Sequence, residues 1–305
     1  MFVMFMYYYN LTDFYKKKFG CKVAKLAFNG GFSCPNRENG GSGCIFCTGS
    51  DEFAGEVTKT LKEQYEDQKL VVKNKWSDAK FIAYFGSYTN TYAPTSVLKE
   101  KFLEALSFED VIGISIGTRC DCISDDCFKF LEELNKKTFL TVELGLQSIH
   151  NETLKFINRG HDLESFDKMV KRLKEASINV VVHIIDGLPF ETEDMMLETI
   201  RHLNDLEIDG IKIHNLYVAK RTVLEKLYLD GKFELMSMNQ YINIVCKQLE
   251  ILNPEIVVYR LTGETMAEKL VAPTWAREKI NILNGVVKKL KKDKSYQGKY
   301  YKKSH

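Results

Sequence analysis

The sequence predicts an α/β protein with parallel strands, and three observations carry that prediction. Six short apolar, β-branched runs recur between residues 23 and 216. Longer segments with apolar residues at three- and four-residue spacing separate them. The polar and sulfur-bearing residues that stand out fall just after the apolar runs. Strand and helix in regular alternation implies parallel strands joined by right-handed crossovers. An open doubly wound sheet and a full or partial barrel both fit that pattern.

In chain order, the first strand is Val23–Phe28, and Thr58–Val72 reads as the helix after it. Strand Lys80–Phe85 is followed by helix Ser96–Ser107, and strand Val111–Gly117 by helix Ser124–Lys136. Strand Leu140–Leu146 precedes helix Leu163–Ala176, and strand Val180–Ile185 precedes helix Asp194–Asp205. Gly210–Leu216 is the sixth strand. Beyond it the alternation stops: Ser237–Leu252 reads as a helix, Val257–Tyr259 as a short strand and Ala276–Lys292 as a further helix. This divides the chain into an N-terminal extension (1–19), an α/β domain (20–216) and a C-terminal extension (217–305). In both parallel architectures the active site lies at the C-terminal ends of the strands. The loops after five strands therefore converge on one mouth.

At 45% hydrophobic and 28% charged, the 305 residues can bury a large core. The net charge of +2 leaves no strong overall field, but eight lysines between Lys288 and Lys303 face a single acid, Asp293. Such a stretch is either a solubilising, frayed terminus or an arm attracted to polyanions. The opening Met1–Tyr9 is apolar but short, without a basic leader or a small-residue cleavage site, and does not read as a signal peptide. No apolar run reaches the roughly eighteen residues of a membrane span. The expected location is the cytoplasm, where eight cysteines suggest metal or catalysis rather than disulfides.

Cys34, Cys44 and Cys47 share the loop after the first strand, spaced nine and then two residues apart. Three thiolates close together suit a soft metal. A zinc site would need a fourth ligand from elsewhere. A 4Fe–4S cluster on three cysteines would keep one iron open to a further ligand. Gly40, Gly41 and Gly43 let the loop wrap tightly and point amides at cluster sulfurs.

Several motifs together resemble the radical S-adenosylmethionine (SAM) superfamily. They are Cys34…Cys44-Ile45-Phe46-Cys47, Tyr84-Phe85-Gly86-Ser87-Tyr88, Gly117-Thr118-Arg119, Glu143-Leu144-Gly145-Leu146-Gln147, Asn158-Arg159-Gly160-His161, Asp186-Gly187-Leu188-Pro189 and Arg260-Leu261-Thr262-Gly263. More narrowly the chain is similar to a bacterial family of the YhcC/YtqA type, related to the radical SAM domain of the Elongator catalytic subunit. The likeness spans roughly residues 20–290. It implies a partial (β/α)6 TIM-like barrel with a C-terminal extension. It also implies a 4Fe–4S cluster on Cys34, Cys44 and Cys47 and SAM as the second cofactor. Many superfamily members space the first two cysteines more closely, which leaves the loop's conformation open.

The same resemblance places the SAM amino group at Gly86, Ser87 and Tyr88, where Tyr88 replaces the usual Glu and shifts amine binding to backbone carbonyls. It adds Thr118 and Arg119 to the cofactor-binding set. Residues 143, 145 and 147 face one side of a strand. Glu143 and Gln147 are expected to meet the SAM ribose or methionine group; the alternative for Glu143 is a buried pair with Arg119 or Arg159. Arg159 is expected to fork onto the SAM carboxylate, or otherwise to cap a helix end. Gly187 and Leu188 would contact adenine through their backbone, or simply form a turn. Phe46 would shield the cluster or stack on adenine, or pack into the core. His161 reads as a turn residue, and His183 as barrel-lining or catalytic. Cys120, Cys122 and Cys127 raise the idea of an auxiliary cluster, against which Cys127 falls inside a predicted helix; Cys122 at the mouth is a candidate reactive thiol. Cys21 and Cys246 read as small buried apolar residues.

The implied chemistry is reductive cleavage of SAM to a 5′-deoxyadenosyl radical, fed by a reductase or by a flavodoxin or ferredoxin. The Elongator likeness points to tRNA as substrate, with carboxymethylaminomethyl processed to aminomethyl at the wobble uridine. Tyr296, Tyr300 and Tyr301 among the lysines fit a phosphate-binding, base-stacking arm. A small metabolite, peptide or porphyrin substrate, and a non-catalytic zinc or iron–sulfur module, are the alternatives.

Overall fold

The computed structural model describes residues 7–49 and 54–303; the first six residues of the apolar opening lie outside them. Nine strands are described: β1 Val23–Phe28, β2 Lys80–Phe85, β3 Val111–Thr118, β4 Phe139–Gln147, β5 Asn179–Asp186, β6 Gly210–Asn215, β7 Val218–Ala219, β8 Val257–Arg260 and β9 Leu270–Ala272. Ten α-helices accompany them: α1 Leu11–Phe19, α2 Leu61–Lys75, α3 Thr95–Leu106, α4 Asp125–Asn135, α5 Asn151–Phe156, α6 Leu163–Glu175, α7 Glu193–Asp205, α8 Val223–Leu229, α9 Met238–Ile251 and α10 Lys279–Lys292.

The main sheet is parallel, in the order β1-β2-β3-β4-β5-β6-β8, and curls into a half-barrel. All six expected strands are present. The seventh, β8, comes from the segment after Leu216: Gly210 of β6 pairs with Val257 and Ile211 with Val258. The sequence reads Val257–Tyr259 as a short strand, and its place in the main sheet comes from this pairing with residues remote in the chain. The outer edge of β8 is covered, since Val258 donates to the Tyr9 carbonyl at 2.7 Å.

Helix starts follow side-chain capping. Thr60 and Glu63 form a capping box on α2, as do Ser237 and Gln240 on α9. Ser124, Asp162 and Thr192 cap α4, α6 and α7. On the outer face of the sheet, Phe28, Phe81, Phe85, Ile114 and Val142 bury against Leu98, Phe102, Leu131 and Phe166 of the helices. At the N-terminal ends of the strands, Phe14, Tyr15 and Phe19 of α1 pack on Val23, Ile82 and Phe139 and plug the barrel. The opposite end stays open as the mouth.

The basic C-terminal stretch is docked rather than frayed. Ile282, Val286 and Leu290 of α10 are buried. Beyond the helix, buried Gln297 donates to the carbonyls of Asn253 and Ile256 at 2.8 Å each. Tyr296 and Tyr300 stay more than half exposed.

Candidate active site

The loop after β1 is built by its own backbone. Cys34 precedes a short 3₁₀ helix, Pro35–Gly40. Gly43 donates to the Asn36 carbonyl at 2.9 Å, and Cys47 to the Cys44 carbonyl at 2.9 Å. Gly40 and Gly43 sit at φ 81° and 80°, where a side chain would be strained. The loop is anchored to α5 and α8: Ile45 donates to the Ile157 carbonyl, and Leu224 donates to the Ile45 carbonyl.

Hydrogen-bond donors point at two of the three sulfurs. The Cys44 Sγ receives Asn36 Nδ2 at 3.6 Å and Arg159 Nη1 at 3.7 Å. The Cys47 Sγ receives the Gly49 amide at 3.3 Å. Burial pushes the Cys47 thiol up, while Arg37 beside it pulls the other way. Such donors suit thiolates carrying charge to iron. Among the described residues no three His, Cys, Asp or Glu side chains close round a single metal ion. A four-iron cluster is a larger body than one ion, and its ligands stand further apart. The donor set and its surroundings fit a 4Fe–4S cluster.

All three cysteines line one cavity of about 310 Å³. Phe46, Gly86, Tyr88, Thr118, Arg119, Glu143, Gln147 and Arg159 line it too. Gly86 is required there, because an added Cβ would lie 2.4 Å from the Tyr84 ring. Ser87 is buried beside it without reaching the cavity wall. Tyr88 adopts φ 59° and is 40% exposed. Thr118 Oγ1 shares a 2.6 Å hydrogen bond with Thr91. Gly187 and Leu188 line a separate cavity with Phe190, Met196 and Met236.

Arg119 binds Asp121, with Nε 2.9 Å from Oδ1, and leaves a buried Nη1 without a partner. Arg159 turns its Nε to the Gly145 carbonyl at 3.0 Å. Neither arginine pairs with Glu143, contrary to the pairing considered from sequence. The fully buried Glu143 is instead caged by Lys25 of β1 and Ser115 of β3, each at 2.5 Å, by His183 of β5 at 2.7 Å and by Lys212 of β6. Burial alone would push its carboxyl up, but the two lysines and His183 hold it well below the usual carboxylate range. Burial brings the Lys212 ammonium down to about 7 and the His183 imidazole to about 4. Sequence reasoning missed Lys25, Lys212, His214 and Arg260. The signal was available, since a lysine inside an apolar strand is as costly as an acid there and needs a partner.

His161 bridges the carbonyls of Gly145 and Asp162 at 3.2 and 3.3 Å, as a turn residue would. Burial pushes the thiols of Cys120 and Cys122 up to about 12 and that of Cys127 to about 11. Cys122 does not line the cavity that Cys34, Cys44 and Cys47 share. Cys120 and Cys127 pack in the main core.

Residues 31–203 match the family model described as the Radical SAM superfamily, and residues 208–292 match the Radical_SAM C-terminal domain. The uncharacterized protein YtqA of Bacillus subtilis is 46% identical over 298 residues, covering 96% of this chain and 92% of that protein. A tRNA uridine(34) acetyltransferase of Methanocaldococcus infernus is 28% identical over 163 residues, 52% of this chain and 30% of that protein. Among solved structures, the archaeal Elp3 of Methanocaldococcus infernus superposes with a TM-score of 0.70 at 19% identity, covering 90% of this chain and 64% of the other. That likeness concerns the fold.

Proposed function

The chain belongs to the radical SAM superfamily, and from that premise we propose that Cys34, Cys44 and Cys47 hold a 4Fe–4S cluster in an enzyme that modifies tRNA. When bound, the cluster and SAM supply a 5′-deoxyadenosyl radical that takes a hydrogen atom from the substrate. A reductase, or a flavodoxin or ferredoxin, provides the electron. The protein's part is to hold the reactants and exclude water. Asn36, Gly49 and Arg159 steady the cysteine sulfurs. Gly86, Tyr88, Thr118, Arg119, Gln147 and Arg159 bound the space for SAM. Phe46 closes one side, packed against the cluster of Ile45 and Leu154.

One observation carries this reading: three cysteine thiols rim a single cavity, and donors face two of the sulfurs. For the substrate, the support is the relative that acts on tRNA uridine 34 and the docked basic surface. Lys288, Lys291, Lys292 and Lys294 are exposed near Tyr296 and Tyr300, a set that can bind phosphates and stack a base. The reaction in this reading converts carboxymethylaminomethyl to aminomethyl at the wobble uridine. The methylene beside the carboxylate loses the hydrogen atom and then one electron to a one-electron acceptor such as the oxidised donor protein. Water cleaves the resulting imine C–N bond to leave the aminomethyl group and release glyoxylate. The target base is extruded into the mouth.

Nucleoside mass spectrometry of tRNA from cells with and without the gene tests it. Loss of the aminomethyl nucleoside with accumulation of its carboxymethylaminomethyl precursor is the expected result; unchanged tRNA rejects the substrate. Because α10 is packed, the arm is probed with Lys→Ala changes at Lys288, Lys291 and Lys292, not by deletion.

A further inference from the structure

The ion-pair network at the floor of the cavity holds more basic than acidic side chains, since Lys25 and Lys212 share Glu143 while Arg260 and Lys279 share Glu264. Lining the cavity are Glu143 from β4, His183 from β5, Lys212 and His214 from β6, Arg260 from β8 and Glu264 just beyond it, and Lys25 from β1 binds Glu143 from behind. Ser115 of β3 and the Tyr84 ring of β2 complete the wall, with Lys25 and Lys212 lying 4.7 and 4.6 Å from the centre of that ring. Lys25 and Lys212 share one carboxylate. Arg260 meets Glu264 at 3.3 Å, and Glu264 is shared with Lys279. His183 and His214 stand 5.6 Å apart, and the buried Nε2 of His214 has no hydrogen-bond partner.

An enclosed surplus cation is unfavourable unless an anion meets it. Here two ammonium groups face one carboxylate, so a single further negative charge balances the pair. Burial lowers the Lys212 ammonium, and an anion seated beside it would offset that burial. Lys212, His214 and Arg260 lie on β6 and β8, and β1, whose loop carries the cysteines, forms the opposite edge of the sheet. We propose that Lys212, His214 and Arg260 form a carboxylate-binding subsite that receives an anionic group of the substrate. A monoanionic carboxylate matches the surplus better than a phosphate dianion. The subsite deepens the tRNA reading and rests on it for one identification, in which the group is the carboxylate of the carboxymethylaminomethyl side chain.

The test uses the cluster-loaded enzyme with SAM present, titrated calorimetrically with N-methylglycine and with its amide. The nucleosides 5-carboxymethylaminomethyluridine and 5-aminomethyluridine form a second pair. The acid is expected to bind at least about 10-fold tighter than the amide, and the carboxylate-bearing nucleoside likewise tighter than its partner. Lys212→Met should remove that preference while SAM affinity stays within about twofold. Arg260→Met, at a partly exposed position, should weaken the preference in a fold that tolerates it. Equal binding of acid and amide overturns the proposal. So does a loss of SAM affinity in Lys212→Met, which would assign the floor to the carboxylate of SAM itself. Unaltered tRNA in the nucleoside analysis would remove the tRNA reading and leave the preference for acid over amide standing.

Discussion

The Lys25 ammonium donates to the Glu143 carboxylate at 2.5 Å, and the carboxylate is wholly buried. Glu143 is the one acid among the groups that cage it, so removing its charge leaves two ammonium groups facing each other across the barrel. Breaking a buried pair from one side typically costs about 3–5 kcal/mol. Glu143→Gln is expected to lower the urea midpoint by a corresponding amount, with an unchanged dependence on urea concentration. A loss below about 1 kcal/mol would mean that water already reaches the lysines.

Much of this architecture was legible because parallel strands covered on one side by helices keep an apolar signal. The runs Val23–Phe28 and Lys80–Phe85 matched their strands to the residue. The strand Val257–Arg260 was underestimated, since its place in the sheet comes from pairing with Gly210 and Ile211, remote in sequence. The three cysteines were readable as a group from spacing because they share one loop, and the fold sets them on one cavity. The partners of Glu143 were not: Lys25 and Lys212 lie 118 and 69 positions away, and only the curl of the sheet brings them together. A rule that lone charges inside apolar strands seek one another would have found them.

Asp186 gives a pH dependence. Its Oδ1 accepts from Gln248 at 2.7 Å, while its buried Oδ2 has no partner. Burial pushes its carboxyl from 3.8 up to about 7. The folded state therefore holds this proton more tightly than the unfolded state does. The stabilisation is complete below pH about 4 and is lost as pH rises through about 7, on the order of 4 kcal/mol at full extent. Asp186→Asn should flatten this part of the stability–pH curve measured by urea unfolding. An unchanged slope between pH 4 and 7 would show that Asp186 is ionised in the fold.

Cysteine substitutions separate ligands from bystanders. Serine at Cys34, Cys44 or Cys47 should each reduce iron and sulfide content and the cluster absorbance after anaerobic reconstitution. Cys122→Ser should leave both unchanged, because Cys122 does not line the cavity that the other three share. Iron retained in Cys34→Ser would point to a different third ligand.

Arg159 connects the cysteine loop to the cavity proposed to hold SAM. Its Nε holds the Gly145 carbonyl at 3.0 Å, its Nη1 reaches the Cys44 sulfur at 3.7 Å, and it lines the cavity. A Cβ added at Gly145 would lie 2.6 Å from the guanidinium, so a larger residue there would displace the Arg159 fork. A planar fork can hold the carbonyl and still present a donor to a carboxylate; an ammonium on a flexible stem cannot do both. Arg159→Lys preserves the charge and loses the fork. It is expected to weaken SAM binding about 10-fold or more, equivalent to about 1.4 kcal/mol, with iron content unchanged because no ligand has been removed. Equilibrium binding of SAM to the loaded enzyme, set beside iron analysis of the same sample, reads both quantities. Iron loss at unchanged SAM affinity would reassign Arg159 to orienting Cys44, with no part in holding SAM.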